Sequence, residues 1–405
     1  MKALCFFEDE AADNFQPLTL TRPTADLRIG IMTIAEKWCR SMDISNFRYA
    51  TKNYLIPLFK GNYPSTVDVE IWINSRYLPG ERLINVIKRL NINEGIAING
   101  QVIAAKVNAD PNERFRDLEK IRPRLTLQNS KRISVSSINR LWDILAINGS
   151  ELVRDLNQLK QDFNWVDALP AHVIATQPEQ VYIHPTATIE PGVIFVTDDR
   201  PIYVGKYVKI MAGSTLRGPL AICDHAKIKM GAKIYKNTTI GPYCKIGGEV
   251  KHCIFHSYSN KGHEGFTGNS IIGQWCNMGA DTNTSNLKNN YSLLRLTDFK
   301  TRQQIQTDQQ FIGTIMGDHC KTSINTMLNT GTLVGVSSNI FCSGFPPKCV
   351  SSFRWLGDTN QTYILDKAID TMQKVMGRRD CSLTPEYKRI METIFEQEME
   401  RLENL

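Results

Sequence analysis

One stretch of this chain gathers the residue types that move a proton beside a phosphate. It reads Glu249-Val-Lys251-His-Cys-Ile-Phe-His-Ser-Tyr-Ser-Asn260-Lys261-Gly262-His263-Glu-Gly-Phe266, and Asn277-Met-Gly279-Ala280-Asp-Thr-Asn-Thr-Ser285-Asn286 follows it. His263 stands at a glycine-flanked position, and an imidazole that is neutral near pH 7 takes a proton from an attacking amine. The lysines nearby can hold a phosphate, while Gly279 and Ala280 let a long ligand lie against the backbone. The plain alternatives are a solvated loop histidine, ordinary surface lysines, and asparagines that serve only as corner-turn residues.

These residues ride on a ladder. Val204, Ile210, Leu216, Ile222, Ile228, Ile234, Ile240 and Ile246 are spaced six apart. Chance gives such a run with odds on the order of 10⁻⁵ per frame. A period of six fits a parallel β-helix with three short flat faces, each hexapeptide sending its aliphatic residue inward and each coil stacking about 4.8 Å above the last. Ile183, Ile189 and Phe195 extend the ladder upstream, with Asp198–Pro201 as an insertion; Ile272, Met278, Met316, Thr322, Leu328, Val334 and Ile340 extend it downstream. Residues 251–271 and 285–311 leave the period and read as loops extruded from the coils, which places His263 in such a loop.

Before the ladder, short apolar runs (Ala3–Phe7, Val69–Ile73, Gly95–Val107) read as strands and Met32–Arg40 and Glu81–Leu90 as helices, hence an α/β domain with a mainly parallel sheet. Leu141–Phe163 reads as a helical connection. After Ile340 the coils end at Gly344-Phe345-Pro346-Pro347. Two amphipathic helices follow, one with Ile364, Leu365, Ala368, Ile369, Met372 and Met376 on a face, the other with Tyr387, Ile390, Met391, Ile394, Phe395 and Leu402. They are expected to cap the open end of the β-helix. The domains expected are 1–170, 171–346 and 347–405.

The 405 residues are 42% hydrophobic and carry a net charge of +7, spread along the chain. That charge suits anionic small ligands; without a basic run interleaved with aromatics it argues against nucleic acid. No stretch is long and apolar enough to span a membrane, and the N-terminus lacks a signal-peptide shape, so a cytoplasmic protein is expected. Ten cysteines without a CxxC pair or disulfide-like spacing read as reduced thiols. His252 and His256 would need His225 or His319 to complete a zinc site, and the spacing does not match one.

Four stretches, IYKNTTIGPYCKIGGEVK, SNKGHEGFTGNSIIG, WCNMGADTNTSNLKNNY and MGDHCKTSINTMLNTGTLVGVSSNIF, carry a resemblance. The chain resembles the bifunctional glucosamine-1-phosphate acetyltransferase/N-acetylglucosamine-1-phosphate uridyltransferase family, in a variant branch found in Bacteroidetes. The resemblance implies a Rossmann-like nucleotidyltransferase domain followed by a left-handed parallel β-helix acyltransferase. It makes His263 the general base, with Asn286 near the thioester. Lys251 and Lys233 would hold the sugar phosphate, Lys233 where the family has an arginine, so the bidentate fork is lost. Phe266 stands where the family has a tyrosine, Asn277 contacts the sugar, and Lys288 substitutes for a phosphate lysine that falls at Ser292. Ala280, Ser323 and Ser343 would contact acetyl-CoA.

By the same likeness, the segment Leu18–Trp38 replaces a glycine-rich nucleotide loop. Arg22 and Arg28 would contact the triphosphate of UTP, Lys37 the sugar phosphate, and Asn74 and Arg76 the nucleotide. Mg²⁺ is expected with UTP, but Val69–Ile73 leads into Asn74-Ser75-Arg76 instead of an aspartate, which leaves Asp110 as the nearby carboxylate. Family likeness also implies a homotrimer with small-molecule substrates. The rivals are a nucleotidyltransferase whose β-helix only trimerises or regulates, and a non-enzymatic scaffold.

Overall fold

Ala3–Phe7 is buried along its length and forms strand β1 (Lys2–Phe7) of the computed structural model, which describes residues 1–109, 118, 122–129 and 135–403. Two compact units divide it. One gathers Met1–Phe15, Thr21–Leu27 and Met32–Leu141, the other Gln16–Leu20, Arg28–Ile31 and Trp142–Leu405.

In the first unit, β1 lies within a sheet ordered β2-β1-β3-β5-β4-β6, with β2 at Phe47–Ala50, β3 at Val69–Asn74, β4 at Glu94–Ile98, β5 at Gln101–Asn108 and β6 at Thr126–Asn129. β1 runs parallel to β2 and β3, whereas β5 is antiparallel to both β3 and β4, so the sheet is mixed. The run Gly95–Val107 is two strands, not one. Asn99 and Gly100 carry φ of 52° and 80°, the paired left-handed conformation of a tight Asn-Gly hairpin. Helix α1 (Ile34–Met42) starts at Thr33, whose hydroxyl accepts from Glu36 N while the Glu36 carboxylate accepts from Thr33 N. Its N-terminus is thereby closed by its own capping box. Helix α2 covers Glu81–Arg89.

The second unit takes up helix α3 (Leu141–Leu159) from Trp142 on, and Leu152 and Leu156 of this helix pack with Ile31, Tyr203, Ala221 and Cys223. The ladder then builds the expected three-sided parallel β-helix. Its first face runs from Ile174–Ala175 to Phe266–Gly268, its second from Val181–Ile183 to Cys349–Val350, and its third from Thr188–Ile189 to Arg354–Leu356, joined across its middle by two bridges at Asn277. Val204, Ile210, Leu216, Ile222, Ile228, Ile240 and Ile246 are fully buried. Ile228 stacks between Ile210 and Ile246 in this column. Its neighbours are held by strand pairing and cannot close on a void, so Ile228→Ala is expected to cost about 2–5 kcal/mol of stability in urea unfolding.

Residues 251–271 are not an extruded loop. They form the strands Glu249–Lys251, Ile254–Ser257, Asn260–Lys261, Phe266–Gly268 and Ile271–Gln274 in the stack. What breaks the period is coil length: Val204, Ile222 and Ile240 stack 18 residues apart, but Phe255 pairs above Ile240 after 15 and Ile272 above Phe255 after 17. Residues are removed at corners while the strands stay in register. Residues 285–311 do leave the coil, and carry an antiparallel ribbon of Arg295–Thr297 on Gln304–Gln306. The coils also run past Pro346 to Leu356, where Asn360–Thr362 adds an antiparallel strand.

One corner of the solenoid went unread. Tyr207, His225, Tyr243, Tyr258, Trp275 and His319 each hold φ between 54° and 60°, a costly conformation for such residues. Their rings stack at centroid distances of 4.9, 4.5, 4.7, 4.2 and 6.2 Å, which offsets that cost. Helices α4 (Leu365–Gly377) and α5 (Pro385–Glu403) bury Ala368, Ile369, Met372 and Met376, and Tyr387, Ile390, Met391 and Ile394, while Leu365, Phe395 and Leu402 are half-buried and Ile364, at the N-cap, is exposed. Their surroundings touch this corner: Tyr387 Oη bonds His319 Nε2 at 3.0 Å, and Arg379 donates to Tyr243 O and Asn260 Oδ1. The helices therefore brace a side of the solenoid as well as following its end.

Candidate functional site

On the first face, Ile234, Val250 and Thr267 point inward and are buried, so their strand neighbours face out. The register aligns Lys233, Glu249 and Phe266 in one outward row, and Lys251 with Gly268 in the next. Gly268 is where several expected site residues meet. A Cβ there would lie 2.5 Å from the Phe266 ring and 2.7 Å from Asn286 Nδ2. Lys251, Phe266 and Asn286 are thus neighbours on one face.

Asn286 is turned by a relay the sequence reading missed. His252 Nε2 donates to Leu145 O at 2.8 Å, which leaves Nδ1 to accept from Asn269 Nδ2 at 3.3 Å; Asn269 Oδ1 in turn accepts from Asn286 Nδ2 at 2.7 Å. Burial, with Lys251 and Lys236 nearby, holds His252 below the usual histidine value, which suits a neutral ring that accepts at Nδ1. His225 and His319 lie in the aromatic corner instead, and among the described residues no group of three His, Cys, Asp or Glu could hold a metal.

His263 is exposed at the corner that joins the third face to the first. The corner beneath it is short. Two residues, Gly247 and Gly248, separate Ile246 from Glu249, whereas four (229–232) separate Ile228 from Lys233 one coil earlier. On the third face, the pairings Lys245↔Asn260, Asn260↔Asn277 and Asn277↔Lys321 stack Gly247, Gly262, Gly279 and Ser323 in one outward row. A strip without bulky side chains therefore borders His263 on one side, and the row of Lys233 and Phe266 borders it on the other. Lys233 Nζ lies 3.8 Å from Glu264 Oε2, both well exposed.

The remaining expected residues scatter. Asn277 is exposed on the third face, with its Oδ1 3.3 Å from Asn260 Nδ2, and so is not on the face of Lys251 and Phe266. Ala280 is at the next corner up, Ser323 ends the glycine strip, and Ser343 is exposed after Asn339–Ile340. Lys288 Nζ sits 3.4 Å from Ser292 Oγ, so its charge reaches the place where the family's lysine is missing.

In the first unit the candidate residues cluster at the carboxyl ends of β1 and β3, where open α/β sheets bind ligands. Asp9, unread in the sequence, is the hub. Arg76 reaches it with Nε at 2.8 Å and Nη2 at 2.7 Å, Asn74 Nδ2 at 2.7 Å and Gln101 Nε2 at 2.8 Å. Burial pushes the Asp9 carboxyl up, but Arg76 and Asn74 outweigh it and hold Asp9 below the usual carboxylate range. Beside it, Glu8 accepts from Thr24 N and Oγ1 and from Thr51. The pair Glu8-Asp9 directly after the first apolar run was the available signal. Arg22 pairs with Asp26 at 3.2 Å, and Lys37 is buried in α1. Arg28 does not share this unit: Arg28–Ile31 belongs to the unit that holds the solenoid, where Ile31 N donates to Asp155 Oδ2 at 2.7 Å. Asp110 lies outside the described residues. With both Asp9 oxygens taken and no acidic cluster among the described residues, these side chains do not fit an Mg²⁺ site.

Residues 4–164 match the family described as "Sugar nucleotidyl transferase", so this part of the chain is a nucleotidyltransferase-like domain. A protein of Bartonella bacilliformis named "Bifunctional protein GlmU" is 23% identical over 55% of this chain and 49% of its own length. Proteins of the same name from Methanococcus aeolicus and Methanocaldococcus jannaschii are 30% and 32% identical over 28% and 29% of the chain, each over 26% of their own length. The chain thus spans about half the length of the first relative and about a quarter of the others. A crystal structure of a variant of AntD, an N-acyltransferase from Bacillus cereus, in complex with dTDP and coenzyme A, aligns over 51% of this chain and 90% of that one at 11% identity, with a TM-score of 0.21, too low to bear on fold or function. The sequence matches fit the bifunctional family named from the motifs.

Proposed function

We propose that this chain is a two-domain transferase of the bifunctional acetyltransferase/uridyltransferase type, whose β-helix moves the acetyl group of acetyl-CoA to the amine of an amino-sugar 1-phosphate, glucosamine-1-phosphate in the first instance. One observation carries the reading: the exposed imidazole of His263 stands at the corner between a glycine strip and the outward row of Lys233, Glu249 and Phe266, with Lys251 in the row beyond. The glycine strip suits an extended pantetheine arm; Lys233 and Lys251 suit the phosphate of the acceptor, with Lys288 further along.

In the proposed step the acceptor nitrogen attacks the thioester carbonyl as His263 takes its proton. The tetrahedral oxyanion is stabilised by nearby donors, with the relay-held Asn286 amide in place to fix the amine or the oxyanion. The thiolate of CoA then leaves and takes the proton from the His263 imidazolium, so the base is restored and no acyl-enzyme is needed. Phe266 offers its ring as a wall for the sugar. Asn277, Ala280, Ser323 and Ser343 are the proposed contacts of the extended cosubstrate and of the sugar on the third-face side.

The same reading has a homotrimer with this corner at the contact between copies. Met230 and Ile324, 69% and 67% exposed, lie at the same corner on coils below and above His263, where a second subunit would cover them. The N-terminal unit would join the acetylated sugar phosphate to the α-phosphate of UTP with release of diphosphate. Arg22, Lys37, Asn74 and Arg76 are its proposed anion-binding residues, and Arg28 is set aside because it belongs to the other unit.

The test is direct. The protein is incubated with acetyl-CoA, UTP and a panel of hexosamine 1-phosphates, with and without Mg²⁺, and products are identified by mass. Acetylated glucosamine-1-phosphate and a stoichiometric free thiol are expected first, then a UDP-sugar. Absence of any acetylated product across the panel overturns the acetyltransferase reading.

A further inference from the structure

We infer that Lys261 is a positioning residue for His263, its buried ammonium tying the backbone of the histidine corner to the coil below; the inference rests on the reading of His263 as base. Lys261 occupies the inward position of the third face. It follows Ile210, Ile228 and Ile246 in the stacked column and precedes Met278, and only 1% of its surface is exposed. A cation in an aliphatic column carries a desolvation cost that an apolar side chain of similar volume would avoid. Stability alone does not account for it.

What the ammonium touches does. Nζ donates to Gly247 O at 3.1 Å and to His263 O at 2.9 Å. Three neighbouring carbonyls are held by backbone: Lys261 O by Gly247 N, Glu264 O by Asp281 N, and Gly265 O by Glu249 N. His263 O, between Lys261 and Glu264, is held instead by a side chain. The arrangement needs the shortened corner beneath. Gly248, at φ +68°, would place a Cβ 2.7 Å from His263 O and 2.8 Å from Lys261 Nζ, so any side chain there would fill the space the ammonium uses. The lysine thus bridges two successive corners through the carbonyl of the residue whose imidazole is exposed. Burial also pushes the Lys261 ammonium down to about 8, against the pull of Glu264, Cys253 and Asp281 and with Lys233 adding to the push.

Lys261→Met tests this in the full-length protein, because methionine continues the column toward Met278. Melting temperature is expected to stay level or rise. The turnover number for acetyl transfer is expected to fall on the order of 10- to 100-fold, the effect of a misplaced catalytic group, with KM for acetyl-CoA and acceptor within about twofold. Amide hydrogen exchange across 262–265 is expected to speed up, and this readout holds whether or not acetyl transfer is the reaction. Unchanged exchange overturns the inference, whatever the activity does. So does a Lys261→Met protein that fails to fold, since the lysine would then be a structural need. Faster exchange with turnover unchanged overturns it as well. Failure of the underlying reading looks different: wild-type protein that transfers no acetyl group, or His263→Ala that still does.

Discussion

His263→Ala is expected to lower acetyl-CoA turnover by about 10²- to 10⁴-fold, the range for loss of a positioned general base. The fold should not notice. The imidazole is exposed at its corner, and surface substitutions of that kind usually stay within about 0.5 kcal/mol. The measurement is free-thiol release under saturating acceptor, beside a thermal melt of wild type and variant. The turnover number should carry the loss, because a base acts in the transition state and contributes little to ground-state binding. Turnover that survives the substitution removes His263 from the mechanism and favours a β-helix that serves only as a platform.

Asp9→Ala is expected to act on the other unit. Arg76 is 1% exposed on its side chain and meets Asp9 through two nitrogens. Removing the carboxylate leaves a buried guanidinium without its counter-charge, which costs about 3 kcal/mol, the low end of the usual range because Asp9 keeps some contact with water. Asn74 and Gln101 lose the same anchor, so nucleotide-dependent activity should fall with stability. Limited proteolysis separates the two effects: cleavage within residues 1–141 should accelerate while residues 142–405 resist, and acetyl transfer should persist. The pair also has a pH signature. The folded state holds the Asp9 carboxyl below its ordinary value near 3.9, so its contribution is present in full above that value and is lost as pH falls through the lowered one. Asp9→Ala should lack this acid-dependent loss. A variant with wild-type resistance in its first 141 residues sinks the argument.

Some of what the site needs is written locally. A side chain that must point into a narrow solenoid repeats every six residues, because each face is two or three residues long and each corner nearly constant. Hence the column through Ile210, Ile228 and Ile246 was legible up to Ile246, as were helix α1 and most of the apolar faces of α4 and α5. The motif around His263 was legible as chemistry for the same reason: its glycines, lysines and asparagines lie within a few coils, and coils stack in sequence order. The Asn99-Gly100 hairpin and the aromatic corner at 18-residue spacing were local signals too, and were passed over.

What only the tertiary structure decided is pairing between distant segments and the length of each coil. A coil of 15 or 17 residues keeps its strands but loses the six-residue count, so nothing in the local pattern says that Lys261 takes an aliphatic position or that Gly247-Gly248 is a truncated corner beneath His263. Asp9 and Arg76 come from the ends of two strands that become neighbours only when β1 pairs with β3. Arg22 and Arg28 lie six residues apart and yet belong to different units, because Arg28–Ile31 finds its hydrogen-bond partners on α3 and in the coils. Hydrophobic period is a property of each residue's own turn of chain. Which polar groups satisfy one another is a property of the folded contacts, and that is where this protein places the residues that hold its candidate site.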